Sequence, residues 1–144
     1  MWREIVEEFT SAEPRDPAEP SAVDRIEEAL GQSLPEDLRS FLLETDGLVG
    51  AYGTDVVWPA ERILSDNLYF RNDTQFEQLY MPFGSLIFFG DNGGGDQFAF
   101  VRKPERDDVF VWDHETDGRN FVSAGLGSYL RSALGSGGGE DWYR

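Results

Sequence analysis

Three consecutive glycines between two aspartates are the first residues whose types and spacing could do chemistry. They lie in FFGDNGGGDQFAF, residues 88–100, with Asp91 and Asp96 on either side. A glycine-rich loop binds phosphate when a cation and a following helix assist its backbone N–H groups. This loop contains no Lys or Arg and a strand-like segment follows it, so two carboxylates would repel a phosphate. The pattern favours a structural turn that uses the positive φ angles open to glycine, at Gly93, Gly94 and Gly95.

A second stretch, DHETDG, resembles the start of an EF-hand calcium loop. Asp113, Glu115 and Asp117 occupy its first, third and fifth positions, and Gly118 occupies the sixth. The twelfth position should be a bidentate glutamate but is Ala124, and the flanking segments are strand-like rather than helical. We therefore predict a hairpin turn at Gly118, because Asp-Gly tolerates positive φ, with a weak cation site as the alternative.

The sequence offers few residues for cysteine, histidine or serine catalysis. The chain has no cysteine, which excludes disulfides and thiolate metal ligands. His114 is the single histidine, and no serine stands in a nucleophile-elbow sequence. With 28 Asp and Glu residues, some carboxylate pair will lie at glycosidase spacing in any fold, so such a pair is uninformative. We predict no catalytic residue, no metal and no cofactor, and rank a carboxylate-based hydrolase third among three functional alternatives.

Charge is the strongest compositional signal. The 144 residues carry 28 acidic and 12 basic side chains, a net charge of −16. Both halves contribute, with 16 acids and 6 basic residues in 1–72 and 12 and 6 in 73–144. Such a field repels nucleic acid and anionic membrane and attracts basic proteins, although acidity also serves solubility alone. The stretch MWREIVEEFT is not a signal peptide and no segment approaches a membrane span, so we expect a cytoplasmic protein.

Two helices are predicted between the first prolines and the middle of the chain. Ser21 is the expected N-cap of the first, and Gly31 ends it. Ser33 and Glu36 form a capping-box pair that starts the second, which ends near Gly47. Upstream, residues 2–10 have helical spacing, and the three prolines of EPRDPAEP predict a loop or spacer at 13–20.

The rest of the chain is strand-like and closes with a helix. Short strands are predicted in GLVGAYG (47–53) and TDVVWPA (54–60), and aromatic and β-branched runs predict four more at 85–89, 96–101, 108–113 and 119–124. Residues 60–71 are ambiguous, a helical turn followed by an extended piece, and residues 72–82 read as loop. A final helix begins near Gly127 and carries Tyr129, Leu130 and Leu134.

This order of elements predicts a single α+β domain, a twisted, mixed or largely antiparallel sheet with helices packed against it. We divide the chain into an N-terminal helix and Pro-rich spacer (1–20), the α+β domain (21–134) and a flexible Gly/Ser-rich tail (135–144). Trp142 and Tyr143 could dock back from that tail.

Three segments resemble the SUKH superfamily in the family's order. IEEALGQSLPEDLRSFLLETDGL (Ile26–Leu48) is similar to its opening helix, L-P-x-D/E motif and second helix with an N/D-G end. FFGDNGGGDQFAF resembles its central strand, glycine loop and strand. VFVWDHETDGRNFVSAGLGSYLRSAL (Val109–Leu134) resembles its C-terminal strand, hairpin and closing helix.

The resemblance implies an α+β fold without general catalytic residues, in a superfamily of bacterial toxin-immunity proteins and fungal regulators of cell-wall synthesis. We therefore expect an immunity protein that neutralises a toxin, such as a basic nuclease, by stoichiometric occlusion. The alternative is a regulatory scaffold of the fungal type. The expected contacts are the acidic rim of the sheet and exposed aromatics, although Trp58 fits the core better: Asp91, Asp96, Asp113, Glu115, Tyr52 and Trp58.

Overall fold

The computed structural model describes residues 1–10, 12–72, 83–136 and 141–143. These residues contain five α-helices and seven β-strands. The helices are α1 (Trp2–Glu7), α2 (Pro20–Leu30), α3 (Glu36–Glu44), α4 (Ala60–Asn72) and α5 (Leu126–Gly135). The strands are β1 (Glu13–Pro14), β2 (Leu48–Val49), β3 (Asp55–Val57), β4 (Leu86–Asp91), β5 (Gln97–Arg102), β6 (Glu105–Asp113) and β7 (Gly118–Ser123). Short 3-10 turns lie at Ala51–Gly53 and Asp141–Tyr143. The predicted α+β class is confirmed.

Strands β4 to β7 form an antiparallel meander in which neighbours in the chain are neighbours in the sheet. The four strands predicted from aromatic runs are all present, and β6 begins at Glu105, earlier than expected. Strands β1, β2 and β3 form a second, smaller antiparallel sheet. The predicted loop at 72–82 falls, from residue 73 on, outside the described residues.

Aromatic side chains cover both faces of the larger sheet. On one face Phe89 stacks on Phe100, with ring centroids 4.6 Å apart, and lies 5.0 Å from Tyr129 of α5. On the other face Phe88 lies 5.1 Å from Phe70 of α4 and 5.9 Å from Trp112. Because both faces are covered, β4 is an unbroken apolar run rather than an alternating one.

Helix α4 is continuous where the sequence was ambiguous. Its buried stripe consists of Ala60, Ile63 and Asn67, at helical spacing. Asp46 starts the helix from a distance, because its carboxylate accepts a hydrogen bond from the Ala60 N–H at 2.7 Å. A stripe that contains a small and a polar residue gives little hydrophobic periodicity, which is why the pattern did not show a helix.

The predicted caps of the two preceding helices are wrong. Helix α2 begins at Pro20, so Ser21 lies inside the helix and Glu19 occupies the cap position. Proline fits the first helical turn because its missing N–H would have no partner there. Helix α3 begins at Glu36 after Pro35, and Ser33 makes no capping hydrogen bond. Gly31 ends α2 in the left-handed region, at φ 65°, as predicted.

The first residues of the chain pack against α3. Trp2 of α1 is 3% exposed, its ring lies 6.0 Å from that of Phe41, and its Nε1 donates to Ser40 Oγ at 2.8 Å. Glu13 and Pro14, predicted as loop, form β1 and pair with β2. The proposed division of the chain at residues 20 and 134 stays a prediction. No helix in the described residues has both the length and the apolar character that crossing a membrane requires.

Candidate partner-binding rim

Four loop segments meet at one end of the molecule and contain most of the predicted contact residues. We call this end the rim; it consists of residues 50–54, 91–96, 113–118 and 141–143. Thr54, Asn92 and Tyr143 line one small depression there. The Asn92 side-chain amide donates to the Tyr143 hydroxyl at 2.7 Å, which ties the C-terminal turn to the β4–β5 loop.

The three glycines lie in the loop that joins β4 to β5. Gly93 and Gly95 have φ angles of 81° and 108°, in the region that favours glycine. The Asp91 carboxylate accepts the Gly93 N–H at 2.7 Å, and the Asn92 side-chain oxygen accepts the Gly94 N–H at 2.8 Å. Two backbone donors that a phosphate cradle would need are therefore already bound within the loop.

Asp96 joins the β4–β5 loop to the β6–β7 loop. Its Oδ1 lies 2.7 Å from His114 Nδ1 and accepts the His114 backbone N–H at 3.2 Å. The imidazole lies over Gly95, where a Cβ would come within 2.8 Å of the ring. The Asp96 side chain is only 12% exposed, so this acid positions the rim rather than facing solvent.

Asp96, Asp113 and His114 bring ligand atoms within 4.8 Å of one another, close enough to share a cation. The carboxylates already accept protein hydrogen bonds: Asp113 Oδ1 accepts the Glu115 N–H at 2.9 Å, in addition to the bonds at Asp96. These bonds account for the arrangement as the framework of the hairpin, and we assign no cation to it. Glu115 itself is exposed.

The β6–β7 turn places its positive φ one residue earlier than Gly118. Asp117 has a φ of 60° and its N–H donates to the Asp113 carbonyl at 2.8 Å. Gly118 is the first residue of β7 and pairs with Asp113. Asp117 adopts this conformation because a short polar side chain tolerates the left-handed region.

Trp58 lies in the core and not on the surface of the rim. It is fully buried, and its Nε1 donates to Asp91 Oδ2 at 2.8 Å. The Arg62 guanidinium donates to the same oxygen at 3.0 Å and lies 4.2 Å from the Trp58 ring centroid. Asp91 is correspondingly only 14% exposed, so it anchors the rim instead of lining its surface.

Sequence reasoning missed Arg62, which joins three carboxylates. It contacts Asp55 at 2.9 Å and Asp66 at 3.1 Å in addition to Asp91. Burial lowers the pKa of Arg62, but the hydrogen bond that Arg62 donates to Asp66 and the three negative charges outweigh it and raise the pKa. The spacing of Arg62 and Asp66 could have indicated one pair on a helix, whereas the other two partners depend on the fold.

Tyr52 is the most exposed large hydrophobic side chain described, at 92%. It also has a φ of 58°, which is unusual for a residue that is not glycine and costs about 1 kcal/mol or more. The turn around it is held by the Gly50 N–H, which donates to the Thr54 carbonyl at 2.8 Å. An aromatic ring held out in a strained turn is a good candidate for a contact residue.

Beneath the C-terminal turn lies a cavity of about 40 Å³. Trp142 stacks on Phe98 at 5.2 Å above it, and the buried hydroxyl of Tyr129 donates to the Val56 carbonyl at 2.7 Å. A space of this size accommodates one or two water molecules and no larger ligand. The rim therefore presents an outer surface rather than a binding pocket.

The exposed acids lie mainly outside the rim. Ten of them are found in the first 46 residues, on α1, α2, α3 and their connection: Glu4, Glu7, Glu8, Glu13, Asp16, Glu19, Asp24, Glu28, Glu36 and Asp37. We call these ten the acidic N-terminal surface. The described residues after position 46 add four: Glu61, Glu105, Asp107 and Glu115. The rim acids predicted as contacts thus serve mostly as internal hydrogen-bond acceptors, and only Glu115 among them is exposed.

Comparison with known protein families identifies one that matches most of the chain. Residues 17–132 match the SMI1 / KNR4 family (SUKH-1), from just before α2 into α5. Comparison with curated proteins finds no match. The matched region includes the two helices, the glycine loop and the C-terminal hairpin that suggested the resemblance. The chain belongs to the SMI1 / KNR4 family (SUKH-1).

Proposed function

We propose that this protein is an immunity protein, which neutralises a basic toxin domain by binding it stoichiometrically. SUKH domains are generally non-catalytic and are associated with the binding of partner proteins. The observation that carries the proposal is the charge of −16 combined with exposed acids that are concentrated in the first 46 residues.

The electrostatic argument concerns the acidic N-terminal surface. A nuclease-type toxin carries positive charge where it binds phosphate. A strongly negative protein approaches such a surface by electrostatic steering, with association rates raised by factors of about 10 to 1,000 at low salt. Three of these ten acids have an ion-pair partner among the described residues: Asp24 pairs with Arg39, Glu8 with Arg131, and Glu4 with the N-terminal ammonium group. Most of the negative charge therefore remains available to a partner.

The rim supplies the contact that charge alone does not. Hot spots of interfaces are enriched in aromatic side chains that enter pockets of the partner. Tyr52 is exposed at the tip of a turn, and Glu115 is exposed in the β6–β7 hairpin. Asp91 and Asp96 hold the loops beneath them. We infer that Tyr52 anchors the partner and that Glu115 contacts a cation at its edge.

The test is binding and inhibition of the protein encoded next to this one, at ~50 and ~500 mM salt. We expect a basic toxin to be captured one-to-one with loss of its activity, and capture to weaken because the Debye length shrinks about threefold. Replacing Tyr52 by Ala should weaken binding by roughly 10- to 100-fold. Tyr69→Ala is the matched control, since Tyr69 is also exposed but lies on α4, at 58%.

The outcomes separate the alternatives. A neutral or acidic partner bound equally at both salt concentrations would remove the electrostatic part of the proposal. Capture of several signalling proteins without loss of any toxic activity would favour the regulatory scaffold. Equal effects of Tyr52→Ala and Tyr69→Ala would remove the rim from the interface.

A further inference from the structure

The outer edge of β7 is open within the described part of the chain. β7 pairs with β6 along one side, from Gly118 to Ser123. For Asn120, Phe121 and Val122, no hydrogen bond from another described segment reaches the other side of the strand. An unpaired edge exposes a row of N–H and C=O groups that can pair with another strand.

The residues of β7 do little to block such pairing. Proteins protect edges with proline, with charged side chains, most often lysine, or with bulges. β7 reads GRNFVS and contains neither proline nor lysine, and its one charged residue, Arg119, is largely buried and pairs with Asp117. The ladder shifts register between Val109 and Phe110 of β6, which leaves Val122 as the extra residue near the end of β7. The regular part of the edge, before Val122, remains suitable for strand addition.

An aromatic surface lies beside the open edge. Phe121 is 57% exposed and its ring lies 6.1 Å from that of Phe110, edge to face. The Arg106 guanidinium lies 5.7 Å from the Phe110 centroid. In strand addition, backbone hydrogen bonds give affinity and alternate side chains give specificity. Phe121 and Phe110 provide an apolar contact for one such side chain.

The negative charge of the β6–β7 hairpin favours a positively charged segment as the added strand. Residues 105–123 contain six acids and two arginines. Arg106 pairs with Asp108, and Arg119 with Asp117. The exposed acids are Glu105 and Asp107 near one end of β7 and Glu115 near the other. A lysine- or arginine-bearing strand would therefore meet carboxylates at both ends of the edge.

We propose that β7 is the docking edge for an extended, positively charged segment of the partner protein, which adds to the sheet as a fifth strand. An apolar side chain of that segment covers Phe121 and Phe110, and flanking cations lie near Asp107 and Glu115. This inference rests on the proposed function in one respect, that the partner is a basic protein.

The first experiment uses a synthetic peptide as the probe, Lys-Val-Lys-Phe-Lys-Val-Lys, and the full chain labelled for NMR. At ~50 mM salt the peptide should shift the backbone amides of residues 118–122 and slow their hydrogen exchange by about tenfold or more. The matched control is the same peptide N-methylated at alternate residues, which keeps the charge but removes half of the backbone donors. Binding of the methylated peptide with equal affinity, or protection of amides elsewhere only, would overturn the proposal.

The second experiment uses Phe121→Lys, which places a cation on an exposed edge position and should leave the fold intact. We expect this variant to lose peptide binding by at least about tenfold, whereas Tyr52→Ala should bind the peptide normally. A dimer of this chain that Phe121→Lys dissociates, and that the peptide does not displace, would overturn the proposal in favour of a second copy as the added strand.

Failure of this inference and failure of the proposed function give different results. If Phe121→Lys still binds and inhibits the toxin with unchanged affinity, the docking edge is wrong while the immunity function stands. If the peptide protects β7 but the neighbouring gene product is neither basic nor bound, the edge stands and the immunity function is wrong.

Discussion

Along β4, the outward-facing backbone groups meet partners from elsewhere in the chain, whereas along the middle of β7 the described residues supply none. Asn67 of α4 accepts the Phe88 N–H at 2.8 Å and donates to the Phe88 carbonyl at 2.9 Å. Arg71 donates to the Leu86 carbonyl at 2.9 Å, and the Trp58 N–H donates to the Phe89 carbonyl at 2.7 Å. The outward-facing backbone groups are thus hydrogen-bonded at the β4 edge of the sheet, and those in the middle of β7 have no such partner among the described residues.

The difference follows from where each edge lies. The β4 edge is buried beneath α4 and β3, and a buried backbone group without a hydrogen bond costs about 1 to 3 kcal/mol. Asn67 carries an NH2 donor group and an oxygen acceptor on the same side chain, so it replaces the neighbouring strand at Phe88 while also donating to the Ile63 carbonyl. The β7 edge is exposed at Asn120 and Phe121, where water can satisfy the same groups. The backbone groups of the β4 edge therefore need hydrogen-bond partners within the protein, whereas those of the β7 edge can bond to water instead.

The largest effect is expected from Asn67→Ala. This change leaves the N–H and C=O of Phe88 buried without partners, and should lower the free energy of unfolding by about 3 to 4 kcal/mol. Urea denaturation followed by circular dichroism measures it. The control is Ser65→Ala on the exposed side of the same helix. A loss below about 1 kcal/mol would show that water reaches the β4 edge.

The next effect concerns the close approach of β3 to β4. A Cβ at Gly90 would lie 2.2 Å from the Val56 carbonyl oxygen, so Gly90→Ala must move the backbone. We expect a loss of about 2 kcal/mol. Gly84→Ala is the matched control, because a Cβ there meets nothing within 4 Å. Equal stability of the two variants would contradict this packing.

A smaller effect is expected from Tyr129→Phe, which removes the hydrogen bond to Val56 next to Gly90 and should cost about 1 to 2 kcal/mol. Burial, aided by the negative charge of Asp91, raises the pKa of Tyr129 well above its ordinary value. The unfolded chain ionises this phenol above pH ~10 while the folded chain does not, so its contribution to stability is complete below that pH and is lost above it.

The measurement is the free energy of unfolding at pH values from about 8 to about 11, a range that spans the ordinary tyrosine pKa of ~10. The wild-type protein should lose stability more steeply than Tyr129→Phe at the alkaline end. Parallel pH profiles would mean that Tyr129 ionises equally well in the folded state.

The smallest effect is expected at the open edge. Asn120→Lys adds a charge to β7 where no hydrogen bond from the described residues depends on the side chain, and should change stability by less than about 0.5 kcal/mol. Thermal unfolding monitored by circular dichroism provides the comparison with Asn67→Ala. A loss above about 1 kcal/mol would indicate that the β7 edge is covered and that the contrast between the edges is false.

The sequence predicted the strands of the larger sheet well because their apolar runs are local signals. It failed at α4, where Asn67 serves tertiary contacts, and at the helix starts, which are set by Pro20 and Pro35 and not by the predicted caps Ser21 and Ser33. Burial of Trp58 was favoured from the sequence, but its hydrogen bond to Asp91 was not. Asp91 and Asp96 bond to side chains that are distant in the chain, so the spacing of residues in the sequence could not predict these hydrogen bonds.

The amino-acid sequence by itself determined the α+β class, the order of strands, the SUKH resemblance and the net charge of −16. These depend on composition and on patterns between residues close in the chain. The tertiary structure alone decided which acids face solvent, that Trp58 donates a hydrogen bond to Asp91, that Asn67 closes one edge of the sheet, and that the middle of β7 has no partner strand among the described residues at the other. Such properties arise from contacts between segments tens of residues apart, because burial and hydrogen bonding are set by what packs against a residue and not by its neighbours in sequence.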